Sequence, residues 1–136
     1  MNIINIGATS GIGLALAKEY TEDNSNQITI TGRSIEKLDK LQVEFPDFEV
    51  SCFDASNEIE IENFFSLMER LIDLVINCSG WGEPNESYEW QIEKDTIDLN
   101  VFGFAKIAHL SLQLFKKQGF EHFVNISSIG GLVINC

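Results

Sequence analysis

Short apolar runs alternate with helix-spaced apolar positions along the whole chain. Ile3, Ile4 and Ile6 make a run too short for a helix and read as a buried strand. Three glycines follow, and Leu14, Ala15, Leu16 and Ala17 then open a helical pattern. Residues 27–31 are rich in β-branched side chains and predict a second strand. Ser34 can cap a helix that carries Ile35, Leu38 and Leu41 on one face and ends at Pro46. Residues 48–53 predict a third strand. Asn57 with Glu60 resembles a capping box and opens a helix bearing Ile61, Phe64, Phe65, Met68 and Leu71. Residues 74–77 predict a fourth, apolar strand, and residues 80–88 a loop flanked by Trp81 and Trp90. From about residue 92 to 117 the pattern is helical, with a break near Leu99. Residues 122–126 predict a fifth strand, and Gly130-Gly131 a loop after it.

Strand and helix in strict alternation, joined by short loops, predict a parallel sheet covered on both faces. Right-handed crossovers then give an α/β, Rossmann-type doubly wound sheet of strand order 3-2-1-4-5, ending after strand five. The stretch between the first strand and first helix, Gly7-Ala8-Thr9-Ser10-Gly11-Ile12-Gly13, carries the clearest chemistry. A strand that stops at glycines and restarts as a helix aims unpaired backbone N–H groups at one point. The positive end of the helix dipole lies behind them, which suits a phosphate. Gly7 permits the tight exit, Gly11 a close backbone approach and Gly13 the packing of helix on strand. Thr9, Ser10 and Ile12 complete the turn. An ordinary strand-to-helix connection is the alternative.

Composition narrows the classes. With 136 residues, 44% of them hydrophobic, the chain is sized for one domain. The net charge of -12 leaves no basic stripe for nucleic acid and disfavours an anionic membrane surface. No run approaches a transmembrane length, and no signal peptide is visible. Cys52, Cys78 and Cys136 lack metal-type spacing and point to a reduced, cytoplasmic setting. The segment around residues 100–117 is apolar nearly all round, which predicts cover on two sides, either by the core or at a subunit interface.

The G-x-x-x-G-x-G spacing at the chain start resembles the short-chain dehydrogenase/reductase family, although Ile6 stands where that family usually has Thr. Four further motifs keep the family's order. In Thr31-Gly32-Arg33-Ser34, Gly32 occupies the place where an NAD enzyme has its acid, while Arg33 offers a fork for a 2′-phosphate. The resemblance therefore implies NADP rather than NAD; a solvated surface arginine is the alternative. By resemblance, Asp54 receives the adenine amino group and Ala55 supplies the next amide; an Asp here is equally suited to a helix N-cap. Asn77-Cys78-Ser79-Gly80 stands where the family has Asn-Asn-Ala-Gly, with Cys78 and Ser79 as departures. Asn77 and Gly80 are implied cofactor-side residues, and Cys78 reads as a small buried hydrophobe. Asn100 matches the family's helix Asn, which bends the helix and holds a water in a proton relay. Asn125-Ile126-Ser127-Ser128 places Ser128 as the implied catalytic serine, with Ser127 structural.

The resemblance covers the whole chain and corresponds to about the first half of a family member, so residues 1–136 read as a dinucleotide-binding domain that is incomplete. The family's Tyr-x-x-x-Lys pair would fall just beyond Cys136. Tyr20 and Tyr88 have Asn24 and Ile92 four residues on, so neither forms the pair. His109 and His122 have no apparent partner for acid–base work. Lack of a general acid costs hydride transfer about 10²- to 10⁴-fold. Two readings follow. One is an NADP-dependent oxidoreductase that reduces a small carbonyl or oxidises a secondary alcohol, pairing through the helix at 100–117. The other is a non-catalytic dinucleotide-binding or interaction module.

Overall fold

The computed structural model describes residues 1–120 and 122–128; the loop expected at Gly130-Gly131, and Cys136, lie outside them. Strands β1 (Asn2–Ile6), β2 (Gln27–Gly32), β3 (Phe48–Cys52), β4 (Leu74–Asn77) and β5 (Phe123–Asn125) are parallel and lie in the order β3-β2-β1-β4-β5. This is the predicted topology. The chain winds outward from β1 through α1 (Gly11–Thr21) and α2 (Ile35–Glu44). It then returns across the sheet through α3 (Glu58–Ser66) to β4 on the other side of β1. The order of strands reverses between β1 and β4, and there the loops diverge to leave a crevice.

Period-2 alternation sends neighbours in β1 to opposite faces. Ile3, Ile28, Ile30, Leu74 and Ile76 pack with Ala17, Leu38 and Leu41 on one side. Ile4, Ile6 and Val75 pack with Ile61, Phe64, Phe65, Ile107 and Phe115 on the other. Both faces of β1 are buried, hence the unbroken apolar run. On the second face β2 presents Thr29 and Thr31 instead, and both are buried. Arg70, in the connection after α3, lies against Thr29. Its Nη2 donates to Thr29 Oγ1 at 2.6 Å, and its two terminal nitrogens grip Glu49 at 2.8 and 2.6 Å. An ion pair thus closes the polar end of this face.

The helical segment after β4 is interrupted where the sequence predicts a break. Helix α4 (Trp90–Ile97) passes into a π-helical turn (Asp98–Gly103) and then α5 (Phe104–Gln118). A Cβ on Gly103 would stand 2.0 Å from the Ala55 carbonyl oxygen, so the turn rests directly on the backbone after β3. Helix α5 turns Ile107, Ser111 and Phe115 inward. Its opposite side is bare: Val101, Phe102 and Leu112 are all at least half exposed. Of the two expected forms of cover, the core supplies only one side within the described residues, which leaves the other side to the subunit-interface alternative. Helix α3 is also shorter than its apolar spacing suggests. It ends at Ser66 and leaves Leu71 exposed in the connection to β4.

Two outcomes test this packing. Gly103→Ala forces a methyl group into a carbonyl and should cost about 3 kcal/mol, read as a lower denaturant midpoint. The Arg70 guanidinium, helped by the Thr29 hydroxyl, holds the Glu49 carboxyl below its ordinary value of 4.5. A lowered folded-state value means stability that is fully present above the unfolded value and lost as pH falls through the folded one. Glu49 is half exposed, so solvent limits this to under about 1 kcal/mol. Arg70→Met should remove it, so that the stability difference from the parent shrinks as pH is lowered from 6 to about 3.

Candidate functional site

A cavity of about 440 Å³ opens at the carboxyl ends of β1 and β4, at the switch in strand order. The glycine turn forms its floor. Gly7 has φ +77°, and a Cβ there would lie 2.7 Å from the Ser79 amide nitrogen. A Cβ on Gly13 would lie 2.6 Å from the Gly7 carbonyl oxygen. Strand exit, helix start and the exit of β4 thus meet backbone to backbone. Gly11 is different: its Cβ would enter open space, and only its φ of +56° calls for glycine. From inside, Asn5 Nδ2 donates to the Gly13 carbonyl at 2.8 Å and ties the first turn of α1 to β1. Nothing in the resemblance pointed to Asn5.

The start of α1 differs from those of α2 and α3. Ser34 Oγ accepts from the Lys37 amide, and Asn57 Oδ1 accepts from the amides of Ile59 and Glu60. Both helices also carry acids in the first turn. Helix α1 has neither: Ser10 makes no side-chain cap and no acid follows it. Its first amides are left for an outside acceptor, with the helix dipole adding positive potential.

The wall beyond the turn comes from the end of β2. A Cβ on Gly32 would lie 2.4 Å from Thr9 Cγ2, so no larger side chain fits here without moving Thr9. Arg33, Ser34 and Lys37 border the same cavity, and among the described residues no ion pair holds either cation. Lys37 was not anticipated. Its position four residues after Arg33, on the first turn of α2, is the signal that could have found it. Ala55, Ile12, Gly80 and Ile126 complete the lining.

Asp54 borders an adjoining cavity of about 390 Å³, together with Arg33 and Trp81. Its Oδ1 accepts from the Ser56 amide at 2.9 Å and hydroxyl at 2.7 Å, and its own amide donates to Glu60 Oε2 at 2.8 Å. The expected capping box is therefore modified: Asn57 caps α3, while Glu60 reaches past it to Asp54. Asn77 is buried behind the cleft. Its Nδ2 donates to Asn125 Oδ1 at 2.8 Å, and its Oδ1 accepts the Ser79 hydroxyl at 2.6 Å, bracing β4 to β5. Burial raises the Cys78 thiol above its ordinary range, which keeps it protonated and inert. Asn100, in the π-helical turn, grips the backbone of Trp81 from both sides. Its Oδ1 accepts from the Trp81 amide at 3.0 Å and its Nδ2 donates to the Trp81 carbonyl at 2.6 Å.

Ser127 and Ser128 are exposed just past β5, where Ile126 enters the cleft lining. Tyr20 packs with the α1–β2 side and Tyr88 is 91% exposed in the loop after β4, so neither approaches the glycine turn. His109 is bonded to Gln113 and His122 is exposed. Among the described residues, no three His, Cys, Asp or Glu side chains gather as a metal site would require. No described helix is long and apolar enough to cross a membrane.

Known proteins share this arrangement. The family model described as short chain dehydrogenase matches residues 1–135. An uncharacterized oxidoreductase of Staphylococcus epidermidis is 29% identical over 132 residues, which cover 92% of this chain and 56% of that protein. A probable NADP-dependent dehydrogenase of Haemophilus influenzae is 29% identical over 132 residues, 92% of this chain and 52% of that one. The closed form of a serine dehydrogenase complexed with NADP+ superposes with a TM-score of 0.89 at 23% identity, covering 99% of this chain and 57% of the other. This chain thus spans about half the length of the relatives it matches. A match along nearly its full length, joined to the strand order and the glycine turn, makes the chain a member of the short chain dehydrogenase family.

Proposed function

We propose that this chain is the dinucleotide-binding part of an NADP-dependent oxidoreductase that reduces a small carbonyl or oxidises a secondary alcohol. The observation that carries the cofactor choice is the end of β2. Arg33 and Lys37 stand there without ion-pair partners among the described residues, and Gly32 stands where a ribose-binding acid would have to displace Thr9. Two relatives support it: the Haemophilus influenzae protein is named as NADP-dependent, and the serine dehydrogenase structure holds NADP+.

In this reading the residues divide the work. The amides of Ser10, Gly11, Ile12 and Gly13 hold the pyrophosphate against the α1 dipole, with Gly7 and Thr9 shaping the turn. Arg33 and Lys37 hold the 2′-phosphate through charge-assisted hydrogen bonds. Asp54 and Ala55 receive the adenine edge, while Asn77 and Gly80 keep the β4 exit close to the ribose. When bound, the reduced nicotinamide supplies a hydride. Ser128 donates a hydrogen bond to the substrate oxygen. Asn100 keeps the loop after β4 in place, and its second N–H and lone pair are open to a relay water. The bare strip of Val101, Phe102 and Leu112 pairs with a second copy of this chain. The free thiols of Cys52 and Cys78 support a reduced, cytoplasmic setting.

One observation favours the second reading for the chain taken alone, a nucleotide-binding module without turnover. Both of its tyrosines lie away from the cleft.

Calorimetry with NADP+ and NAD+ tests the cofactor choice. NADP+ should bind at least tenfold tighter. Arg33→Ala and Lys37→Ala should each raise its Kd about tenfold while leaving NAD+ within about twofold. Equal affinity for the two cofactors would reject the choice. NADPH oxidation over a panel of ketones and aldehydes separates the readings, since turnover by the 136-residue chain would rule out the module. Leu112→Lys should turn a dimer into a monomer in sedimentation; a parent chain that sediments as a monomer would reject the pairing.

A further inference from the structure

The Trp81 backbone is unusually well held for a residue in a surface loop. Asn100 takes both its amide and its carbonyl, 19 residues away in sequence. Asn100 is itself fixed by the π-helical turn, whose Gly103 rests on Ala55. These bonds fix the Trp81 main chain, and packing limits where its side chain can go. That side chain packs against the core cluster that includes Phe53, Ala55 and Leu99, and it borders the cavity shared by Arg33, Asp54 and Leu99. The sequence predicts only a loop here; the structure sets its first aromatic residue on the same cavity as Asp54.

We propose that Trp81 is the wall on which the adenine ring of the dinucleotide lies. The inference rests on the dinucleotide reading above and extends it to a residue outside the family motifs. The cavity offers three features that match one ligand fragment. Trp81 and Leu99 give a flat, apolar wall for a π face. Arg33 adds a planar cation to the same lining. Asp54 gives a carboxylate whose Oδ1 is already occupied by Ser56, while its Oδ2 accepts from no described residue. An exocyclic amino group fits that oxygen; the ring carbonyl of guanine would be repelled by it. The two other acids at the rim are engaged, Asp98 by Lys94 and Asp95 by Gln91. The volume of about 390 Å³ lies within the usual range for a small-ligand site. A fixed aromatic face also loses little conformational entropy on binding.

The chain has two tryptophans, and Trp90 is 69% exposed, so Trp90→Phe leaves Trp81 as the sole indole reporter without disturbing the core. The probe is 2′,5′-ADP, the adenine half of the cofactor, which requires nothing from the nicotinamide side. The proposal expects 2′,5′-ADP to quench the emission of the Trp90→Phe variant, saturating at the Kd that calorimetry gives. In the parent background, Trp81→Ala and Trp81→Leu should both raise that Kd about tenfold, and Trp81→Phe should hold it within about threefold. Leucine keeps the apolar bulk, so a merely structural Trp81 would show no difference between Leu and Phe. Binding seen by calorimetry with unchanged emission, or equal affinities for the Leu and Phe variants, would overturn the stacking role and leave the dinucleotide reading intact. No heat of binding to the parent chain would overturn the dinucleotide reading, and the stacking role with it.

Discussion

Three segments of backbone touch at one point with no side chain between them. The exit of β1 at Gly7, the start of α1 at Gly13 and the exit of β4 at Ser79 approach so closely that a single Cβ at Gly7 or Gly13 would fall within 3 Å of a neighbouring main-chain atom. Everything at the site depends on this contact. It seats α1 on the sheet and aims its uncapped amides at the crevice. It also draws the β4 exit under the turn, so that Ser79 and Gly80 join the same wall as Thr9 and Arg33. Asn5 reinforces it from within by holding the Gly13 carbonyl. The proposed phosphate role needs main chain on main chain, because only a bare backbone can bring such amides forward.

A second close approach governs the far end of the cleft. Gly103 lies on the Ala55 carbonyl, and the helix above it widens into a π turn at that place. A π turn spends one extra residue per winding and frees side-chain directions that a regular helix would not offer. Here it delivers Asn100 to the Trp81 backbone. The loop after β4 is thereby coupled to the segment after β3, and two connections distant in sequence act as one wall. Asn85 does similar work farther out: its amide donates to the Glu89 carbonyl and Glu93, and its carbonyl oxygen accepts from the Glu89 amide.

Charge is distributed with purpose on an otherwise acidic surface. Of nine cationic side chains, several are engaged: Arg70 by Glu49, Lys106 by Glu58 and Glu62, Lys94 by Asp98, and Lys18 by Glu44. Arg33 and Lys37 stand at the cleft without such partners among the described residues. In a chain of net charge -12, two cations without ion-pair partners at one cleft are a local concentration of positive charge beside the glycine turn.

The strand order, the alternation of elements and the glycine turn were legible in the amino-acid sequence because they follow from local rules. Period-2 and helical spacing separate strand from helix. Buried runs such as Ile3 to Ile6 mark strands covered on both faces, and right-handed crossovers leave few topologies to choose from. Three glycines at fixed spacing require backbone geometry that can be stated without knowing what surrounds them. The sequence also determined the caps at Ser34 and Asn57, since a cap reaches only two or three residues. Only the tertiary structure decided where Trp81 packs, that Asn100 grips it, that Asn5 holds Gly13, that Glu60 reaches Asp54, and that Arg70 lies against Thr29. Those pairs are joined by how helices settle on the sheet. The settling is set by close approaches that leave no room for a methyl group, such as Gly103 on Ala55, together with packing over both faces of the core. No pattern along the chain encodes a distance between residues that only packing brings together.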